Sequence, residues 1–138
     1  MNKSPRIAVI GAGIAGLSCS KNLHKDIFEL SVYDKSRGPA GRMSTRRGDG
    51  WQCDHGAQYF TARDPGFRAE VARWQAAGVA DVWPARLAVF NEADGQRSET
   101  RLERFVGVPR MTAPARFLAD TLPLTAQTTI TQLERTPA

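Results

Sequence analysis

A short apolar run that feeds straight into three glycines spaced G-x-G-x-x-G leaves a chain few ways to fold. Residues 6–10, RIAVI, are apolar and β-rich, suited to a central parallel strand, and Gly11, Gly13 and Gly16 follow at once. Ile14, Leu17 and Leu23 then share the apolar side of a helix expected over residues 14–25, where the small residues Ala15, Ser18 and Cys19 allow close packing on a sheet. A second strand, FELSVYD at 28–34, ends in Asp34, 18 residues past Gly16. Strand, glycine turn, helix and a second strand tipped by an acid form the start of a βαβ unit of the Rossmann-like α/β class. Each residue type has a reason to be there. Gly11 permits the tight turn, Gly13 has no side chain to hold a pyrophosphate off the backbone, and Gly16 lets the helix lie close to the strand. The helix N-terminus, at Ile14, Ala15 and Gly16, offers unpaired N–H groups and a partial positive charge to the phosphates. Asp34 is placed to accept from both ribose hydroxyls of an adenosine and to repel a 2′-phosphate.

The same stretch is unsuited to a membrane or to secretion. It is short, holds three glycines, and runs into Lys21, His24, Lys25 and Asp26. Gly16 also stands where a lipoprotein signal ending at Cys19 would carry Leu. Cys19 and Cys53 form no CxxC pair, and with His24 and His55 they show no metal-ligand spacing, so no zinc site is expected. Free, buried thiols in a reducing cytoplasm are the expectation. A length of 138 residues suffices for one domain with a real core. The net charge of +5 arises in one place: Lys35, Arg37, Arg42, Arg46 and Arg47 have no acid between them, and the remaining bases and acids balance. Such a cluster suits a phosphate or simply a solvated loop. It lacks aromatic interleaving beyond Trp51 and any nucleic-acid-binding motif, so no nucleic-acid partner is expected.

Downstream of the second strand the chain reads DKSRGPAGRMSTRRGDGWQCDHGAQYF. An acid–base pair, Asp34 and Lys35, followed by Gly41, Arg42 and Ser44 resembles the flavoprotein pattern of a Gly-Gly-Arg element and a Ser or Thr, with Ala40 in place of the first glycine. Together with DHGAQYFTARDPGF at 54–67 and VGVPRMTAPARFLA at 106–119, it is similar to the renalase-like branch of the flavin-containing amine oxidase superfamily. The resemblance implies a glutathione-reductase-like FAD-binding domain with FAD as cofactor. It implies that Lys35 and Arg37 flank the adenosine end, and that the Gly41–Arg42–Met43 element lies at the diphosphate, with Arg42 reaching it or an adjoining ribose. It implies that Gly56, Ala57, Gln58, Tyr59 and Phe60 pass the isoalloxazine side. Core packing is the competing reading for Tyr59 and Phe60. The resemblance further implies hydride transfer to flavin from a small reduced substrate, of the dihydronicotinamide type formed by isomers of NAD(P)H, with O2 as electron acceptor. No acid–base pair is obligatory for such a transfer, and His55 reads as a turn or packing residue rather than a base.

Farther along, Asp64 reads as the N-cap and Pro65 as the first residue of a helix over 64–78 that stops at Gly78, with Phe67, Val71 and Trp74 as a core stripe. Residues 82–107 read as two or three strands around a turn at Asp94-Gly95. Residues 113–122 read as a short helix capped by Thr112, and 125–134 as a strand rejoining the first sheet. The expected division is a nucleotide-binding part over 1–80, the start of a β-rich substrate domain over 81–112, and a return to the first part over 113–138. Members of the resembling family run well beyond this length, which implies an N-terminal portion whose uncovered apolar surface favours self-association. An NAD(P)-binding domain without flavin and a non-catalytic fragment are the alternatives.

Overall fold

The computed structural model describes residues 4–23, 26–85 and 102–135. In chain order the elements are β1 (Arg6–Ile10), α1 (Ile14–Asn22), β2 (Glu29–Tyr33), a 3-10 turn (Gly41–Met43), β3 (Arg46–Gly48), β4 (Trp51–Cys53), α2 (Pro65–Ala76), β5 (Ala80–Val82), β6 (Phe105–Gly107), α3 (Ala113–Ala119) and β7 (Leu124–Thr125). β1, β2 and β7 make a parallel sheet in the order β1-β2-β7. The apolar pentapeptide is thus an edge strand among the described residues, and β2 holds the centre. Two two-stranded antiparallel sheets, β3–β4 and β5–β6, stand beside it.

Side-chain alternation explains how the parallel sheet is packed. Val9 and Val32 are partners in register, as are Ile7 and Leu30, so these four share one face. Val9, Leu30 and Val32 join the core with Leu17 of α1 and Leu118 of α3. Residues of α1 advance about 100° each, so the packed side is Gly16, Leu17 and Ser20, and the Ser20 hydroxyl donates to the Gly16 carbonyl at 2.8 Å. Ala15, Ser18 and Cys19, expected against the sheet, lie on the opposite side and are exposed. Cys53 lies on the exposed β4, so both thiols are free but neither is buried. α1 stops at Asn22, three residues short of the expected end, where Leu23 turns extended; His24 and Lys25 lie outside the described residues.

α2 forms as its sequence dictates. Asp64 accepts from the Phe67 N–H at 2.9 Å, Pro65 opens the first turn, and Gly78 takes φ +70° beyond the end. Val71 and Trp74 are buried, whereas Phe67 remains partly exposed at the rim. At α3 the outcome differs: Thr112 is already helical at φ −71°, ψ −14°, and its buried hydroxyl caps nothing. Helix formation there rests on Pro114 in the first turn. Of the expected last strand, 125–134, only Thr125 pairs with the sheet, joined by Leu124 before it. The expected turn at Asp94-Gly95 lies outside the described residues, but β5 and β6 on either side of it pair antiparallel. The β3–β4 hairpin, turning at Asp49-Gly50 with Gly50 at φ +71°, was not among the expected elements.

Ala40 is buried, 2% exposed, at φ 129°. A side chain in such backbone costs about 1–3 kcal/mol. Ala40→Gly removes that strain but also a buried methyl worth about 0.8 kcal/mol and adds about 0.5–1 kcal/mol of chain entropy. The substitution is therefore expected to be neutral or stabilising. Ala62→Gly, also buried and at ordinary φ, should lose about 1.3–1.8 kcal/mol. Urea unfolding midpoints of the two variants check the contrast.

Candidate dinucleotide-binding site

The turn between β1 and α1 is tied to its surroundings through backbone. The Gly11 N–H, in a residue at φ +106°, donates to the Tyr33 carbonyl at 2.7 Å. The Ala12 N–H donates to Oδ2 of Asp34 at 2.7 Å, and the Ala12 carbonyl accepts from the Ala40 N–H at 3.0 Å. A Cβ at Gly16 would lie 2.0 Å from the Gly11 carbonyl oxygen, so α1 sits directly against the turn. At Gly11 and Gly13 a Cβ would meet nothing within 4 Å. These two glycines therefore border open space, a cradle that a side chain would fill. α1 begins there with no side-chain cap and no acid in its first turn. The N–H groups of Ala15 and Gly16 have no partner within the helix, beside the positive end of the helix dipole. A diphosphate fits both the space and the charge.

Asp34 sits at the β2 side of that cradle. Its Oδ1 accepts from the Ser36 N–H and its Oδ2 from the Ala12 N–H, each at 2.7 Å. Partial burial alone would raise its pKa, but the Ser36 and Ala12 backbone donors, with Lys35 nearby, outweigh it and hold the carboxyl below its ordinary value. A carboxylate has about four acceptor sites, so two bonds leave it able to take hydroxyl donors. Its own backbone is fixed by Thr125 and Thr128, at 3.1 and 2.9 Å.

The Gly41–Met43 turn closes the other side. Gly13 and Ala40 form an isolated parallel bridge, and a Cβ on Gly41 would approach the Gly13 Cα at 3.2 Å. The next layer repeats the device: Ala57 N–H donates to the Arg42 carbonyl at 2.8 Å, and a Cβ on Gly56 would lie 2.1 Å from that oxygen. Gly11, Gly13, Gly16, Asp34, Gly41, Arg42, Gly56 and Ala57 are thereby assembled from segments far apart in sequence. The Lys35 and Arg42 side chains are exposed, and Met43 packs against the core. Ion pairs among the described residues are Arg6–Glu29, Arg68–Glu103 and Arg73–Glu70, none of which engages Arg42, Arg46 or Arg47.

Beyond Ala57 the segment leaves the cradle. Gln58 and Tyr59 are exposed. Phe60 exchanges both backbone hydrogen bonds with Phe105, at 2.9 and 2.8 Å, and its ring packs with Phe67, Trp74 and Phe105. The structure therefore gives Phe60 the packing role. His55 is exposed, with Nε2 3.5 Å from the Ser44 hydroxyl. Asp54, which sequence reasoning passed over, fastens three segments: Oδ1 accepts from the Thr45 hydroxyl at 2.5 Å and from the Met111 N–H at 3.2 Å. The Asp49-Gly50 turn signal was the available clue, since it sets Thr45 and Asp54 across the base of a hairpin.

Residues 9–73 match the family model described as an NAD(P)-binding Rossmann-like domain. The fold is Rossmann-like. The chain is also similar, 39% identical over 51 residues, to a zeta-carotene-forming phytoene desaturase of Myxococcus xanthus. It is 35% identical over 51 residues to a 4,4'-diapophytoene desaturase of Staphylococcus aureus strain Newman. Each match covers 37% of this chain and 10% of the relative's length. Among the described residues no group of His, Cys, Asp and Glu is arranged to hold a metal, and no helix is long and apolar enough to cross a membrane.

Two outcomes follow from the geometry. Gly16→Ala drives a methyl into a backbone carbonyl and should destabilise the fold by about 1–3 kcal/mol or more, measured by urea unfolding. Asn at position 34 offers one oxygen where the carboxylate offers two, so Asp34→Asn should cost about 1 kcal/mol at neutral pH. Because the folded pKa of Asp34 is depressed, the charge-linked part of that stability is present above the unfolded carboxyl pKa of about 3.9 and is lost as pH falls through the folded value. The gap between Asp34→Asn and the parent chain should therefore narrow in acid unfolding below about pH 4.

Proposed function

We propose that this chain is the cofactor-binding portion of an FAD-dependent oxidoreductase. The observation that carries the reading is the Asp34 carboxylate bonded to the Ala12 N–H, with acceptor capacity left beside an uncapped helix start and two glycines that open onto free space. The desaturases named among the relatives and the Asp34-Lys35, Gly41-Arg42, Ser44 pattern support FAD in preference to a nicotinamide dinucleotide. In this reading Gly11, Gly13 and the first-turn amides of α1 receive the diphosphate, and Asp34 takes the ribose hydroxyls. Arg42 balances the phosphate charge with a planar donor. Gly56, Ala57, Gln58 and Tyr59 border the ring end, and Phe60 braces them from the core. FAD, when bound, supplies the redox chemistry, accepting a hydride from substrate and passing electrons to O2. The chain's part is to hold and orient.

For the substrate, the renalase-like resemblance supports a small dihydronicotinamide-type molecule in a cytoplasmic enzyme with no nucleic-acid or membrane partner. A second reading, desaturation of an apolar polyene, is supported by the names of the relatives. Anaerobic mixing of the flavin-loaded full-length polypeptide with isomers of NADH, and separately with phytoene, discriminates them. Flavin bleaching by the first within seconds supports the dihydronicotinamide reading, and bleaching by the second alone replaces it.

Gly13→Ala tests the cradle itself. Its φ of −73° suits alanine, and the methyl meets nothing in the protein. The variant should therefore keep its circular dichroism and melting temperature, yet bind FAD at least tenfold more weakly in a fluorescence titration of the full-length protein. Asp34→Ala should lose affinity similarly. Unchanged affinity in both would remove the proposed site.

A further inference from the structure

On the face of the small antiparallel sheet turned away from α2, two exposed aromatic rings and a half-buried guanidinium are gathered. Phe60 bridges Phe105, Phe105 pairs with Val82, and the Trp83 N–H donates to the Arg104 carbonyl at 2.8 Å. Side chains alternate along each strand. Phe60 and Phe105 point toward Trp74 of α2, so Tyr59, Trp83 and Arg104 occupy the opposite face. Tyr59 and Trp83 are 41% and 38% exposed, with ring centroids 5.8 Å apart at 36°. Arg104 lies over the Tyr59 ring, Cζ 5.2 Å from its centroid.

Among the described residues the cation is poorly satisfied. Its hydrogen bond among the described residues is Nη1 to the Leu102 carbonyl at 3.2 Å, and its Nε is buried without an acceptor. No acid pairs with it among the described residues. Glu103 is taken by Arg68, and Asp81, the acid nearest along β5, turns Oδ1 onto its neighbour's Val82 N–H at 2.7 Å. The guanidinium is stacked on the Tyr59 ring, and the exposed Trp83 ring stands beside the pair.

We propose that Tyr59, Trp83 and Arg104 form a subsite for a planar aromatic carboxylate, the ring stacking on the exposed aromatics and the carboxylate pairing with the guanidinium. The subsite shares Tyr59 with the ring end of the proposed cofactor site, but Trp83 and Arg104 lie outside the dinucleotide cradle and carry the proposal on their own.

Titration of the isotope-labelled chain with sodium benzoate, followed at the Trp83 indole N–H resonance by NMR, tests this. A saturable shift is expected, with the buried Trp74 indole unmoved. Benzamide, which keeps the ring and loses the charge, should need at least tenfold higher concentration, and cyclohexanecarboxylate, which keeps the charge and loses the ring, severalfold higher. Arg104→Gln should raise the benzoate midpoint at least tenfold while leaving the rest of the spectrum intact, and Trp83→Leu should raise it severalfold in a titration read at Tyr59. Asp34→Ala, which attacks the cofactor cradle, should leave the benzoate midpoint unchanged, so the two sites fail separately. The proposal is overturned by absence of a saturable shift, by equal midpoints for benzoate and either analogue, or by a Trp83 shift that depends on protein concentration alone and marks a second copy on this face.

Discussion

The hydrogen bond from the Ala12 N–H to Asp34 joins the first turn of the chain to the tip of its second strand, 22 residues later. Without it the glycine turn would have to find its conformation from local preference alone, and glycines have little. With it, and with Gly11 bonded to Tyr33, the turn is held between the ends of two paired strands. The carboxylate is held in return, since this amide, after that of Ser36, helps lower its pKa against the effect of burial. Structure and proposed chemistry therefore share one contact: the group proposed to meet a ribose is the group that shapes the glycine turn proposed for the phosphates.

From that contact the site grows by repetition of one device. Each successive loop approaches the last through backbone, at a position where a Cβ would collide: Gly16 on the Gly11 carbonyl, Gly41 on the Gly13 Cα, Gly56 on the Arg42 carbonyl. The carbonyl of Ala12 then fixes Ala40, and that of Arg42 fixes Ala57. Segments from three parts of the chain are stacked without a side chain between them. Backbone donors and acceptors positioned this way are rigid, and their dipoles need no rearrangement when a charged group arrives. Ala40 is the one irregular step, a methyl carried in backbone that favours glycine.

The parts of this arrangement that depend on local chemistry were readable in the sequence. The glycine spacing, the apolar run before it and Asp34 after it specified the βαβ start, and Asp64, Pro65 and Gly78 bounded α2 to within two residues. What depended on tertiary contact was not. The side of α1 that packs was misassigned because α1 is apolar and small almost all round, so composition did not mark a face; the sheet chose Gly16, Leu17 and Ser20. Thr112 looked like a cap but is already in helical backbone. Phe60 could equally have faced a cofactor or a core, and only its pairing with Phe105 decided for the core. Asp54 was half legible: the Asp49-Gly50 turn signal sets Thr45 across from it, but Met111 is brought to it only by tertiary contact.

The β3–β4 hairpin is wet on both faces. Three residue pairs are too few to hold such a ribbon by themselves. It is pinned at its base by Asp54 and along one side by Gln52, which reaches Pro109 and Arg110 at 3.5 and 3.4 Å. Its amides should thus trade hydrogen for deuterium earlier than those of β2, which has a neighbouring strand on either side. Arg46 and Arg47 ride on this opening ribbon, so their charge is spread over a range of positions instead of being aimed at one oxygen. Cations carried in that way hasten the arrival of an anion more than they delay its departure.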